Sequence, residues 1–139
     1  MTNLDETAAA APIRTDDEVE ARFAELVGRA IVRRIWFGMI GPDGIQVPVL
    51  LPISDFPESF DDEEMVRFGE GLAGIAAGCG AETVVIVAER PGPVALDSAD
   101  RRLLGGVRAG CLANGAEVRA VLLSHDHGVR LVSLDELAG

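Results

Sequence analysis

The chain has 139 residues, enough for one domain that buries roughly two-thirds of its unfolded surface. Its formal charge is −11, which argues against a generic nucleic-acid binder, because phosphate recognition needs clustered positive charge. Hydrophobic residues make up 48%, yet no apolar run nears the ~20 residues of a membrane-spanning helix, and no charged-then-apolar leader opens the chain, so the expectation is a cytoplasmic protein without a membrane partner.

Residues 1–14 are Ala-rich and carry no periodic pattern, which predicts a disordered tail before a single domain over 15–139. Thr15-Asp-Asp-Glu18 reads as a capping box that opens a helix with Val19, Phe23 and Leu26 on one face and an end near Gly28. Ile31–Ile40 and Ile45–Ile53 read as two strands joined by the turn Gly41-Pro-Asp-Gly44. Pro48 places the second strand at an edge or marks a bulge, since proline cannot donate to the ladder. Trp36 and Phe37 make this hairpin a candidate sheet edge for self-association.

Asp61 to Ala77 reads as a helix with Met65, Phe68, Leu72 and Ile75 on its inner face. Its acidic start suits the positive end of the helix dipole, and Gly78 and Gly80 supply the stop. Glu82–Glu89 is an unbroken Val/Ile run, the pattern of a strand buried on both faces. After Arg90-Pro-Gly-Pro93, Asp97 or Ser98 caps a helix running to Asn114, with Leu103, Leu104, Val107 and Cys111 inward. Gly105, Gly106 and Gly110 weaken that helix by about 1 kcal/mol each and allow close packing on the sheet. Glu117–Ser124 and Val129–Ser133 are further strands around the turn His125-Asp-His-Gly128. The order α-β-β-α-β-α-β-β predicts an α/β domain, a mixed sheet flanked by helices in two or three layers.

Cys79 and Cys111 sit in apolar, helix-like surroundings and read as reduced core residues. All twelve basic residues are arginine, which a GC-rich genome explains without any recognition role. There is no phosphate-cradling loop and no nucleophile elbow, and the sequence calls for no cofactor.

Three segments are candidate sites. In the first, the buried strand ends in Ala88-Glu89-Arg90-Pro91-Gly92, followed by Ser98-Ala-Asp100 and a long helix. Strand ends of this kind are where α/β sheets hold ligands. Order of elements and this strand–Pro–loop–helix junction resemble the JAB (MPN) fold, in particular its RadC-like branch, over about Arg33 to Ser133. That architecture is also cytidine-deaminase-like. The chain is similar as well to short actinobacterial proteins with Val-Pro hairpins and an Arg-Pro-Gly loop.

The resemblance implies a zinc hydrolase site of two histidines, an aspartate and an upstream glutamate that activates the bound water. Carried over by position, the histidines fall on Ala88 and Arg90, and the proline on Pro91. The serine and aspartate fall on Ser98 and Asp100, one residue closer together than in the family. The hairpin offers Gln46 but no carboxylate where the glutamate would sit. Alanine has no ligand atom and arginine repels a cation, so the resemblance implies a domain without the family's zinc chemistry, a binding or scaffold module for a protein partner or for itself. A plainer reading of Asp100 is a first-turn carboxylate favoured by the helix dipole. A different reading makes the loop a small-molecule or nucleotide sensor, with Arg90 and Gly92 meeting an anion beside Glu89, Ser98 and Asp100.

In the second segment, His125 and His127 are spaced i, i+2 and with Asp100 would form an alternative metal site for a hydrolase. They would meet only if the last turn folds over the loop after Glu89; the plainer reading is a surface turn between two strands. In the third, Asp55–Glu70 holds seven carboxylates and one arginine, Arg67. It reads either as a solvated helix start or as a surface for a basic partner, centred on Asp55, Glu58, Asp61, Asp62, Glu63 and Glu64. Phe56 and Phe60 within it are anchors or tuck into the core.

Overall fold

The structure, a computed structural model, describes residues 2–3, 11–54, 56 and 61–138. The elements are β1 (Thr2–Asn3), α1 (Asp16–Val27), β2 (Arg34–Ile40), β3 (Val49–Ile53), α2 (Asp62–Gly78), β4 (Thr83–Glu89), α3 (Ser98–Ala113), β5 (Glu117–His125), β6 (Gly128–Leu131) and α4 (Leu134–Ala138). The chain is thus α/β, as its apolar periodicities predict. The strands form one mixed sheet in the order β1-β3-β2-β4-β5-β6. Only β4 and β5 run parallel; the other neighbours are antiparallel.

Helices cover both faces. On one side α2 and α3 close a core with Phe37, Met39, Ile86 and Leu123. On the other, Val19 and Phe23 of α1 pack against Val85, Val87 and Leu122. Consecutive residues of β4 therefore go to opposite cores, which is why its sequence shows no polar alternation. Full burial of Phe23 and Phe37 stabilises the fold by about 1.5–3 kcal/mol each. Phe23 lies directly on β2, because a Cβ at Gly38 would stand 2.6 Å from its ring.

Three capping boxes fix the helix starts: Thr15 with Glu18, Asp61 with Glu64, and Asp97 with Asp100. Asp97, not Ser98, caps α3. Ser133 and Glu136 make a similar reciprocal pair at α4, a short helix that strand-like alternation concealed in the sequence.

Several expectations need correction. Met65, Phe68 and Leu72 pack on the core as expected, with Gly69, Ala73 and Ala76 buried beside them, while Ile75 is 41% exposed. The cause is the neighbouring helix. A Cβ on Gly69 would lie 2.3 Å from the Gly110 backbone, so the two helices touch through bare backbone and the small residues must face inward. Gly106 and Gly110 serve this contact rather than the sheet, against Met65 and Gly69, while Gly105 faces open space. β2 is interior, between β3 and β4, so Trp36 and Phe37 do not form a sheet edge. Phe37 is fully buried. Pro48 falls just before β3, whose outer side meets, among the described residues, the two of β1. The folded part begins before Thr15: Ile13 is buried and its N–H donates to Gly44 O at 2.8 Å. Most of residues 1–10 lies outside the described residues.

No helix among the described residues is long and apolar enough to cross a membrane. Cys111 is buried, and burial pushes its thiol up to about 11; Cys79 is exposed, and both are free thiols.

Candidate functional site

At the C-terminal end of β4 the strand's alternation separates two tasks. Glu89 points to one side of the sheet, and Ala88 and Arg90 to the other, toward the first turn of α3.

The Glu89 carboxylate is buried, and a buried charge must be matched by donors. It accepts from Ile31 N at 2.7 Å, Val32 N at 3.2 Å, Arg34 Nε at 2.7 Å and Trp36 Nε1 at 2.9 Å. Burial alone would raise its pKa, but these donors together hold the carboxyl below its ordinary range. Arg34 also lies over the Trp36 ring, 4.8 Å from its centroid. Glu89 therefore fastens the segment between α1 and β2 onto the end of β4.

Arg90 closes the loop that follows. Its Nε donates to Asp100 at 3.1 Å, Nη2 to Asp100 Oδ2 and to Ala95 O at 2.9 Å, and Nη1 to Pro93 O at 2.7 Å. The two charged side chains are 14% and 9% exposed. Asp100 also accepts from Asp97 N at 3.0 Å, completing the capping box. Burial would raise the Asp100 pKa, but Arg90 and Asp97 outweigh it and hold the carboxyl below its usual value.

Ala88, Glu89, Arg90 and Asp100 line one cleft of about 180 Å³, together with Arg33, Phe56 and Leu103. Arg33 stacks on Phe56, 4.1 Å from its centroid. Ser98 is exposed and does not reach this cleft. The Gly92 N–H meets Asp126 Oδ1 at 2.8 Å, and Gly92 O accepts from Asp126 N at 3.0 Å. The donors that an anion would need at Arg90 and Gly92 thus already have internal partners.

Those Gly92 bonds fold the His125–Gly128 turn onto the loop. Arg130 adds a bond from its Nε to Val94 O at 3.0 Å. His125 is buried and its Nδ1 accepts from His127 N at 3.2 Å, while His127 is exposed with its ring centroid 6.4 Å away. Burial, then the charges of Arg130, His127 and Arg90, lower the His125 pKa. Among the described residues no three His, Cys, Asp or Glu side chains gather closely enough to hold a metal ion.

Gln46 is not near this cleft. It bridges Ile40 at the opposite end of β2, where its Oε1 accepts from Arg22 at 2.9 Å. Position on the hairpin therefore gives it no part in chemistry at the β4 terminus.

In the acidic stretch, Asp55, Glu58 and Phe60 lie outside the described residues. Asp61 and Glu64 are occupied with capping α2, and Asp62 and Glu63 are exposed, the latter 3.5 Å from Arg67. Phe56 packs against the core from the rim of the cleft.

Sequence reasoning missed the role of Glu89, Arg34 and Trp36 as one bonded group. The available signal was a carboxylate closing an apolar strand, since burial there demands donors nearby. No family model matches the chain, and no curated protein matches it.

Proposed function

We propose that the chain is a non-catalytic binding or scaffold domain of the JAB/RadC-like kind, its metal cleft converted to a structural ion pair. One observation carries this reading. The three positions that correspond to the family's metal ligands, Ala88, Arg90 and Asp100, line a single cleft although they come from the end of β4, the loop after it and α3. Zinc does not fit the residues there. Ala88 offers no ligand atom, and the Arg90 guanidinium stands beside the Asp100 carboxylate as an internal cation. A bound cation would have to displace that guanidinium and the Asp97 N–H.

A second reading, a metal-dependent hydrolase using His125, His127 and Asp100, has one observation in its favour. The turn carrying both histidines does fold onto the loop after β4. Against it, the cationic neighbours of His125 disfavour a metal ion, and its Nδ1 already has a donor.

Zinc stoichiometry of the purified chain separates the two. The binding-domain reading expects well under one zinc per chain after dialysis. One tightly held zinc, lost in His125→Ala, would overturn it.

A further inference from the structure

β5 is longer than its antiparallel neighbour, with nine residues against four in β6. Their ladder ends at Leu122↔Leu131, and one more bond, from Val132 N to Val121 O, precedes the turn into α4. Among the described residues, Glu117–Ala120 therefore have a strand neighbour on the β4 side alone. Among the described residues no strand pairs with their other edge, over roughly 13 Å at about 3.3 Å per residue.

The edge of β6 is treated differently. Its Leu131 N–H donates to the Glu20 carboxylate of α1 at 2.9 Å, a side-chain cover of the kind that blocks strand pairing. The β5 edge instead borders a groove of about 400 Å³. Asp16 of α1, Arg108 of α3, and Leu134 and Glu136 of α4 wall it. Leu134 is 59% exposed, a large apolar surface at the rim.

The charges of the groove do not balance. Asp16 is paired with Arg119 at 2.7 Å. Glu136 is paired with Arg130 at 2.9 Å and also accepts from Ser133 N, and these partners hold its carboxyl down to about 2. Among the described residues Arg108 has no anionic partner. One uncompensated positive charge thus faces the groove of a protein whose formal charge is −11.

The geometry points to this edge as the docking site of an extended peptide segment that adds to β5 as a strand and sets a carboxylate side chain against Arg108. Main-chain bonds to β5 supply affinity, and Arg108 and Leu134 supply selection, the usual division in strand addition. A peptide rather than a second copy is the occupant, because two chains of this net charge repel. The inference rests on the reading of the chain as a binding module and adds where its partner sits.

The test uses the whole chain and three Val/Thr-rich octapeptides that differ only in a central Glu, Gln or Lys. Binding is followed by calorimetry and by amide shifts in 117–121. The Glu peptide binds saturably and shifts those amides, while the Gln peptide binds about tenfold more weakly, as expected for losing one charged hydrogen bond. Arg108→Glu reverses the preference toward Lys, and Leu134→Asp weakens all three peptides. Equal binding of the three peptides, no saturable binding of the Glu peptide, or shifts confined elsewhere would overturn the proposal. So would a dimer in sedimentation that Leu134→Asp dissolves, since the occupant would then be a second copy. Zinc is measured on the same preparation. A peptide failure without zinc removes only this docking site, whereas a tight zinc removes the binding-module reading itself.

Discussion

Replacing Arg90 by Met keeps most of the side chain's volume and removes its charge and all of its hydrogen bonds. Asp100 is left as a buried carboxylate whose remaining donor is the Asp97 N–H. Removing one partner of a buried ion pair costs about 3–5 kcal/mol, and the small residual exposure of this pair favours the lower end. The loss has a definite pH dependence. The Asp100 carboxyl sits below its usual value of 3.8 in the folded chain, despite burial, because of Arg90 and Asp97. A depressed carboxylate contributes stability above its unfolded pKa and loses it as pH falls through the folded pKa. The deficit of Arg90→Met is therefore full at pH 7 and shrinks as pH falls below about 4. Urea denaturation across that range measures it, and Asp100→Asn with the double variant isolates a coupling of roughly 1–3 kcal/mol. In parallel, amide exchange in 92–96 quickens, because Pro93 O and Ala95 O lose their donor. A stability change below about 0.5 kcal/mol, or one independent of pH, would refute the claim that this pair holds the loop after β4 closed.

Glu89→Gln places an amide N–H among donors and leaves Arg34 without its carboxylate, so thermal and urea melts record a loss of about 3 kcal/mol or more. Trp36 fluorescence shifts with it, since its Nε1 loses an ionised acceptor. Gly69→Ala forces a methyl into the Gly110 backbone and destabilises by about 3 kcal/mol. Gly105→Ala meets nothing within 4 Å and stabilises by about 0.5–1 kcal/mol through helix propensity and a stiffer unfolded chain. Equal melts for these two glycine variants would contradict the backbone contact between α2 and α3.

The order of elements was legible in the sequence because each carries a local signal. Val/Ile density marks β4, and the spacing of Thr15 with Glu18 and of Asp97 with Asp100 marks helix starts. What could not be read are facts that depend on two distant segments at once. Ile75 looks like a core residue until Gly69 and Gly110 are seen to bring α2 and α3 together, turning that face outward. Trp36 and Phe37 look like an edge until β4 is found beside them. The loop after β4 could be singled out from its strand end, its proline and its capping aspartate. That Arg90 bonds Asp100, that Asp126 bonds Gly92, and that Glu89 gathers donors from four residues of 31–36 are pairings between separate segments, for which one sequence carries no spacing rule. The open edge of β5 was equally hidden, since it arises from the unequal lengths of two strands and the unrecognised α4.

The central claim of the proposal is that Ala88 and Arg90 stand where a zinc site would place its two imidazoles, beside Asp100 as the one ligand present. Zinc titration of the Ala88→His, Arg90→His double variant tests this directly, with circular dichroism confirming its fold. The account predicts that the variant gains about one zinc per chain, as a site of two imidazoles and a carboxylate should, and loses it on further Asp100→Asn. A folded double variant that binds no zinc, or binds it unchanged without Asp100, would contradict it.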